Sequence, residues 1–156
     1  MNIFVLHDSP TLSAQAQCDK HVTKMVLETA QLLCGAFPAD VDVPYRRTHY
    51  NHPCAKWTRE SRGNFLWLAW HGLALADEFT FRYGKAHKSR EVIAWCLDNM
   101  WKLDMPDDGV TPFALAMPDE FKRADPVEAY RAYYRGGKAG IATWNKGRAA
   151  PEWWTA

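Results

Sequence analysis

No stretch of this sequence approaches roughly 18 consecutive apolar residues, so nothing in it reads as a membrane-spanning helix. The opening MNIFVLHDSP has a short apolar patch but no basic segment before it, and it meets His7 and Asp8 at once, unlike a secretory signal. Cysteine is sparse: Cys18, Cys34, Cys54 and Cys96 lie far apart, with no CxxC pair. Without a secretion signal these read as reduced thiols of a cytoplasmic protein. Charge of one sign is also lacking. The net charge is +1, whereas a protein living on non-specific phosphate attraction carries a plain basic excess. Contact with nucleic acid must therefore come from local clusters, or the substrate must be small. Internal repeats are absent, and so is strand alternation beyond residues 3–6.

What remains is a chain of 156 residues, 47% hydrophobic and 13% aromatic, with eight Trp. That suits one folded domain, 1–156, burying about two-thirds of its unfolded surface. The periodicity predicts an all-α bundle of about four main helices joined by long ordered loops. A first helix is expected from Ser9-Pro10 to about Cys34, with Gly35 as its stop. A second is expected from about Pro53 to Tyr83, stopped by Gly84, with Gly63 and Gly72 inside it as points of close packing or of bending. A third, capped by Ser89, runs to about Leu103, and a fourth starts at Asp125-Pro126 with Glu128 in a capping-box-like position.

Wound as a helix, residues 18–33 place Cys18, Val22, Met25, Val26, Thr29, Leu32 and Leu33 on one buried arc. Along its edge run His21, Lys24, Glu28 and Gln31, a single polar stripe of base, cation, carboxylate and amide. A carboxylate at the border of an apolar face is partly desolvated, which suits general acid/base work. The same stripe also suits an ordinary solvated border. The loop 38–53 carries three prolines together with Arg46, Arg47, His49 and His52, groups able to hold a phosphate and a stacked base. In the last helix and beyond it, Tyr133, Tyr134 and Lys138 alternate rings with cations, as a nucleic-acid contact does. An amphipathic helix that buries its tyrosine rings is the competing account. Cys18 with His21, and His52 with Cys54, could form a tetrahedral metal set, but neither pair has a strong zinc spacing, so no metal or other cofactor is expected.

The blocks CDKHVTKMVLETAQLL, THYNHPCAKW, RYGKAHKS, AMPDEF, YRAYYRGGK and ATWNKGR resemble those of a family of small phage proteins, over nearly the whole chain. More remotely, the chain is similar to phage pyrimidine-dimer DNA glycosylases of the endonuclease V type. Those are compact all-α enzymes with a histidine and a catalytic glutamate seven residues apart on the first long helix, the spacing of His21 and Glu28. Their later proline–acid–Glu–Phe and Tyr-Tyr-Gly-Lys segments resemble Met117–Phe121 and Tyr133–Lys138.

The resemblance implies a DNA- or nucleotide-directed N-glycosidase or base-modifying enzyme, partnered by nucleic acid or nucleotide and working in the host cytoplasm if phage-encoded. It implies Glu28 as the catalytic carboxylate, with His21 and Gln31 orienting it or the sugar. The glycosylases use the α-amine of a small processed N-terminal residue, whereas here Asn2 follows Met1 and the methionine is expected to stay. Met1 supplies the amine, or Lys24 does, or no imine forms. Gln31 stands where the relatives carry an arginine. The alternative function is a non-catalytic helical protein that binds a nucleotide, nucleic acid or host protein.

Overall fold

In the computed structural model, which describes residues 1–154, the chain is all-helical, with six α-helices and no strand among the described residues. Ser9 accepts from the Leu12 amide and Pro10 occupies the first turn, so α1 runs Pro10–Ala16. The expected single first helix ends there. Gln17 and Cys18 are extended, with ψ 145° and 160°, and α2 begins afresh at Asp19–Gly35. The break is held from a distance: the Arg82 guanidinium takes the Gln17 and Gln15 carbonyls at 2.8 and 2.9 Å, supplying the donors that a continuing helix would have supplied.

The second expected helix is also two. Pro53–Glu60 forms α3, with His52 Nδ1 accepting from the Cys54 amide at 3.0 Å. Ser61 is fully extended and its hydroxyl accepts from the Asn64 amide while donating to the Gly109 carbonyl, which starts α4 at Arg62–Tyr83. Gly84, left-handed at φ 72°, closes it. The third helix, α5, is Arg90–Asp98, followed by a 3₁₀ turn at Met100–Lys102. Ser89 does not cap it by side chain: its hydroxyl pairs with Tyr45 at 2.9 Å, tying the 38–53 loop to α5. The last helix, α6, is Pro126–Gly137, capped by Asp125 on the Val127 amide, and a 3₁₀ turn at Asp119–Phe121 precedes it.

The central element is α4, which packs on α1, α2, α3 and α5. At Gly72 an added Cβ would come within 2.6 Å of Thr29 and 2.8 Å of Ile93, so this glycine marks where α2, α4 and α5 press closest. Ahead of α1, Ile3–Leu6 is an arm without regular secondary structure, buried in the core, which carries Met1 and Asn2 to the flank of α2. The tail crosses the opposite end of α2. There Arg82 pairs with Glu78 at 2.8 Å and Asp19 at 3.0 Å, Arg148 pairs with Glu78 at 2.8 Å, and the Asn145 amide donates to Asp19 at 2.7 Å. Burial pushes the Glu78 carboxyl up, but the Arg148 and Arg82 hydrogen bonds outweigh it and hold the group below its ordinary value. No described helix is long and apolar enough to cross a membrane.

Candidate active site

The polar stripe of α2 does not stay on one surface. His21 and Glu28 are buried, at 4% and 6% exposure, while Lys24 is open to solvent. These three line a small pocket of about 240 Å³ together with Met1, Asn2, Phe4, Tyr133 and Lys138. Glu28 is covered by the N-terminal arm. Its Oε1 lies 3.2 Å from the Met1 α-amine nitrogen and accepts from the Asn2 amide at 3.1 Å. Its Oε2 lies 3.6 Å from Lys24 Nζ, an ion-pair distance beyond hydrogen-bond range, and it is buried with no hydrogen-bond partner. A buried carboxylate oxygen left open beside an amine is costly unless something else binds there.

Asn2 is what fixes the terminus. Its side-chain amide donates to the Ala116 carbonyl at 2.8 Å, and its Oδ1 accepts from the Ile3 amide at 2.8 Å and from Tyr130 at 3.2 Å. No local spacing reveals this role, because two of its partners, Ala116 and Tyr130, lie more than a hundred residues downstream. Cys54, 3.6 Å from the same Oδ1, is pushed up to about 12 by burial and packs here as a neutral thiol.

His21 stacks on Phe4 at 4.2 Å and 14°, and its Nδ1 lies 2.6 Å from Tyr134 Oη. Burial lowers its pKa to about 3, with the charges of Lys138, Lys24 and Lys20 adding to the effect. Burial likewise pushes the Tyr134 phenol well above its ordinary value. Both groups are therefore neutral. The phenol oxygen also accepts from the Cys18 amide at 3.4 Å. Of the two acceptors within reach of its hydrogen, Nδ1 at 2.6 Å is far nearer than Cys18 Sγ at 3.8 Å, so we assign that hydrogen to Nδ1 and the imidazole hydrogen to Nε2. His21 in this tautomer is a neutral hydrogen-bond donor with no positive charge to bring.

This assigns Tyr134 differently from the sequence expectation. It is fully buried, with Trp153 and Trp144 packed against it, and cannot touch a strand. Tyr133 does line the pocket, and Lys138 Nζ sits 5.0 Å above its ring. Gln31 also moves: it faces a neighbouring depression of about 550 Å³ with Leu27, Tyr45, Arg46, Thr48 and His49, apart from Glu28. Arg47 borders that depression, but its guanidinium donates to the Pro38 and Val41 carbonyls at 2.6 and 2.8 Å and to Phe37 at 3.4 Å. It is a brace for the loop, and Arg46 is exposed at the depression and without an ion pair among the described residues. His49 has a left-handed backbone, φ 52°, and bonds Thr48 through Nδ1 at 2.8 Å. Such local strain is stored where the surroundings over-determine it. His52 lines neither pocket. It caps α3, and burial lowers its pKa, helped by the Met1 amine and His49 and opposed by Glu28.

Among the described residues no three His, Cys, Asp or Glu side chains gather as metal ligands. Cys18 sits in the core with its Sγ 3.8 Å from Tyr134 Oη, and Cys54 is likewise in the core. Compared with models of known families, with curated proteins and with solved structures, the chain matches none.

Proposed function

We propose that the chain is a DNA- or nucleotide-directed N-glycosidase with lyase-like chemistry, in which Glu28 works with the α-amine of Met1. The observation that carries the reading is the pairing at 3.2 Å of that amine with a buried carboxylate whose other oxygen has no hydrogen-bond partner. An amine so placed attacks C1′ of a sugar. The new N–C1′ bond forms as the glycosidic C–N bond breaks, and Glu28 takes the proton that the neutral amine loses and passes it to the departing base. The second amine proton goes to O4′ as the C1′–O4′ bond opens to the imine that borohydride reduces. The same carboxylate stabilises positive charge developing at C1′. His21, as a neutral Nε2–H donor, hydrogen-bonds the sugar or the leaving base without repelling that charge. Tyr133 and Lys138 offer a ring and a cation at the pocket wall. For a base stacked in a duplex, the nucleotide must first be extruded.

The proposed kinship with the phage glycosylases rests on the same residues, with Met1 filling the place of their smaller N-terminal residue. Lys24, although 3.6 Å from Glu28, is 66% exposed and is the second choice of amine. The test is borohydride trapping with lesion-bearing, hydroxymethylated and plain oligonucleotides and with free nucleosides. An adduct on Met1, located by mass spectrometry and lost in Glu28→Gln, supports the proposal. Survival of every substrate, or equal activity of Glu28→Gln, ends it.

A second reading is favoured by the depression of Arg46, His49 and Gln31, which needs nothing from Glu28. In it the protein only binds a nucleotide, a nucleic acid or a host protein. Ligand retained by Glu28→Gln and lost by Arg46→Ala, with no adduct on any substrate, selects it.

A further inference from the structure

A depression of about 720 Å³ lies not over Glu28 but beside the first turns of α2, against the tail segment 140–146. Its walls carry Lys20, Lys24, Lys146, Thr23, Asn145 and Tyr83. One carboxylate borders it, Asp19, and both of its oxygens are engaged, Oδ1 by Arg82 at 3.0 Å and Oδ2 by the Asn145 amide at 2.7 Å. Lys20 and Lys146 are exposed and make no ion pair among the described residues. The groove is therefore cationic although the whole chain carries only +1. Hydroxyls and amides fill the spaces between the lysines. The Tyr83 ring, held by its hydroxyl on the Asp19 carbonyl at 3.1 Å, and the half-exposed Ile141 add apolar faces.

Lys24 belongs to both this groove and the Glu28 pocket. One turn past Glu28, the depression of Arg46, His49 and Gln31 lies on the other side. Three hollows thus follow one edge of α2, with the carboxylate in the middle and cations at both ends. Lys20 to Gln31 is eleven steps, about 16 Å at 1.5 Å each. That length accommodates roughly five stacked nucleotides at about 3.4 Å per residue of strand.

We infer that the groove of Lys20, Thr23, Asn145 and Lys146 is the strand-holding subsite of the Glu28 pocket, taking the phosphodiester backbone of a single nucleic-acid strand to one side of the reacting sugar. The inference rests on the reading of that pocket given above and narrows it: the preferred substrate is a polymer. A free nucleoside occupies the small pocket and leaves the larger groove empty. Phosphates settle on the lysines, the Asn145 side-chain amide donates to their oxygens, and a base lies against Tyr83 or Ile141.

The experiment is fluorescence anisotropy on unmodified single-stranded oligonucleotides of roughly one to eight nucleotides, with a salt titration, for the wild-type chain and the Lys20→Gln/Lys146→Gln double variant. Both positions are solvent-exposed, so the fold is not at stake. Affinity is expected to rise with length to roughly five nucleotides and then level. In the double variant the slope of log affinity against log salt is expected to fall by roughly 0.7 per lysine removed, while mononucleotide binding keeps its value. Equal length and salt dependence in the two proteins overturns the inference, as does equally tight binding of a poly-glutamate peptide. Length- and lysine-dependent binding without base release from any substrate upholds the groove and ends the glycosidase reading. Base release from free nucleosides with no gain from length ends the groove and leaves the glycosidase reading standing.

Discussion

Tyr134 Oη and His21 Nδ1 are 2.6 Å apart, and 113 residues separate them in the chain. The tyrosine sets the tautomer of a histidine in the pocket although it never meets the pocket itself. Tyr134→Phe removes the donor to Nδ1 and leaves a buried ring nitrogen unpaired, at a cost of roughly 1–3 kcal/mol. The ¹⁵N shifts of His21 are expected to report Nε2–H in the wild type and a tautomer mixture in the variant. A wild-type spectrum with Nδ1–H would contradict the assignment.

Glu28→Gln keeps the size of the side chain and removes the charge that faces the Met1 amine. Base release or adduct formation is expected to drop by roughly 10²- to 10⁴-fold, the usual range for a positioned proton acceptor. A short extension ahead of Met1 converts the α-amine to an amide and is expected to abolish the Met1 adduct while the protein stays folded. Steady-state rates and intact mass after borohydride check both.

Acid should destabilise the fold before its carboxylates titrate. His21 and His71 are buried neutral, with pKa values lowered by burial to about 3 and about 4 from an ordinary 6.5. Below pH 6.5 the unfolded chain binds protons that the folded one refuses, so stability is complete above that pH and declines as pH falls toward 4 and 3. The unfolding free energy from urea titrations is expected to fall over this window by an amount on the order of a few kcal/mol, with the urea midpoint moving down accordingly. A midpoint flat from pH 7 to pH 4 would show that neither ring is buried as described.

Glu78 holds two arginines. Glu78→Ala leaves the Arg82 side chain, wholly buried, without one of its two carboxylates and releases Arg148. The expected loss is roughly 3–5 kcal/mol, read by thermal denaturation, with faster proteolysis of residues 143–148. Gly72→Ala tests a different contact. Its new methyl presses on Thr29 and Ile93, and a loss of roughly 1–3 kcal/mol is expected.

The helical class and the buried arc of α2 were legible because periodicity reports which face of a helix meets the core, and Cys18, Val22, Met25, Val26, Thr29, Leu32 and Leu33 are all buried. The two helix breaks were not, since the Arg82 donors that end α1 arrive from 65 residues away and Ser61 turns on a contact with Gly109. Of the polar stripe, spacing brought His21, Lys24 and Glu28 together but could not show that Met1 and Asn2 would cover Glu28. Arg46 and Arg47 are adjacent and alike in sequence; only the loop carbonyls at Phe37, Pro38 and Val41 separate an exposed cation from a brace. Tyr130 and Tyr134, one turn apart, follow the apolar spacing of α6 and are buried, while Tyr133 turns toward the pocket.

The arm of residues 1–6 has a consequence for the order of assembly. Its anchors are Ala116, Tyr130 and the Arg131 guanidinium on the Leu6 carbonyl, separations of 114, 128 and 125 residues. During synthesis this arm emerges first and waits for its distant anchors, so truncated or half-folded chains carry an arm that has not been fixed against Glu28. Loop closures of that length slow the final step of folding. The Met1–Glu28 pairing is thereby also a report that the chain has been made at least as far as Arg131 and has closed on its arm.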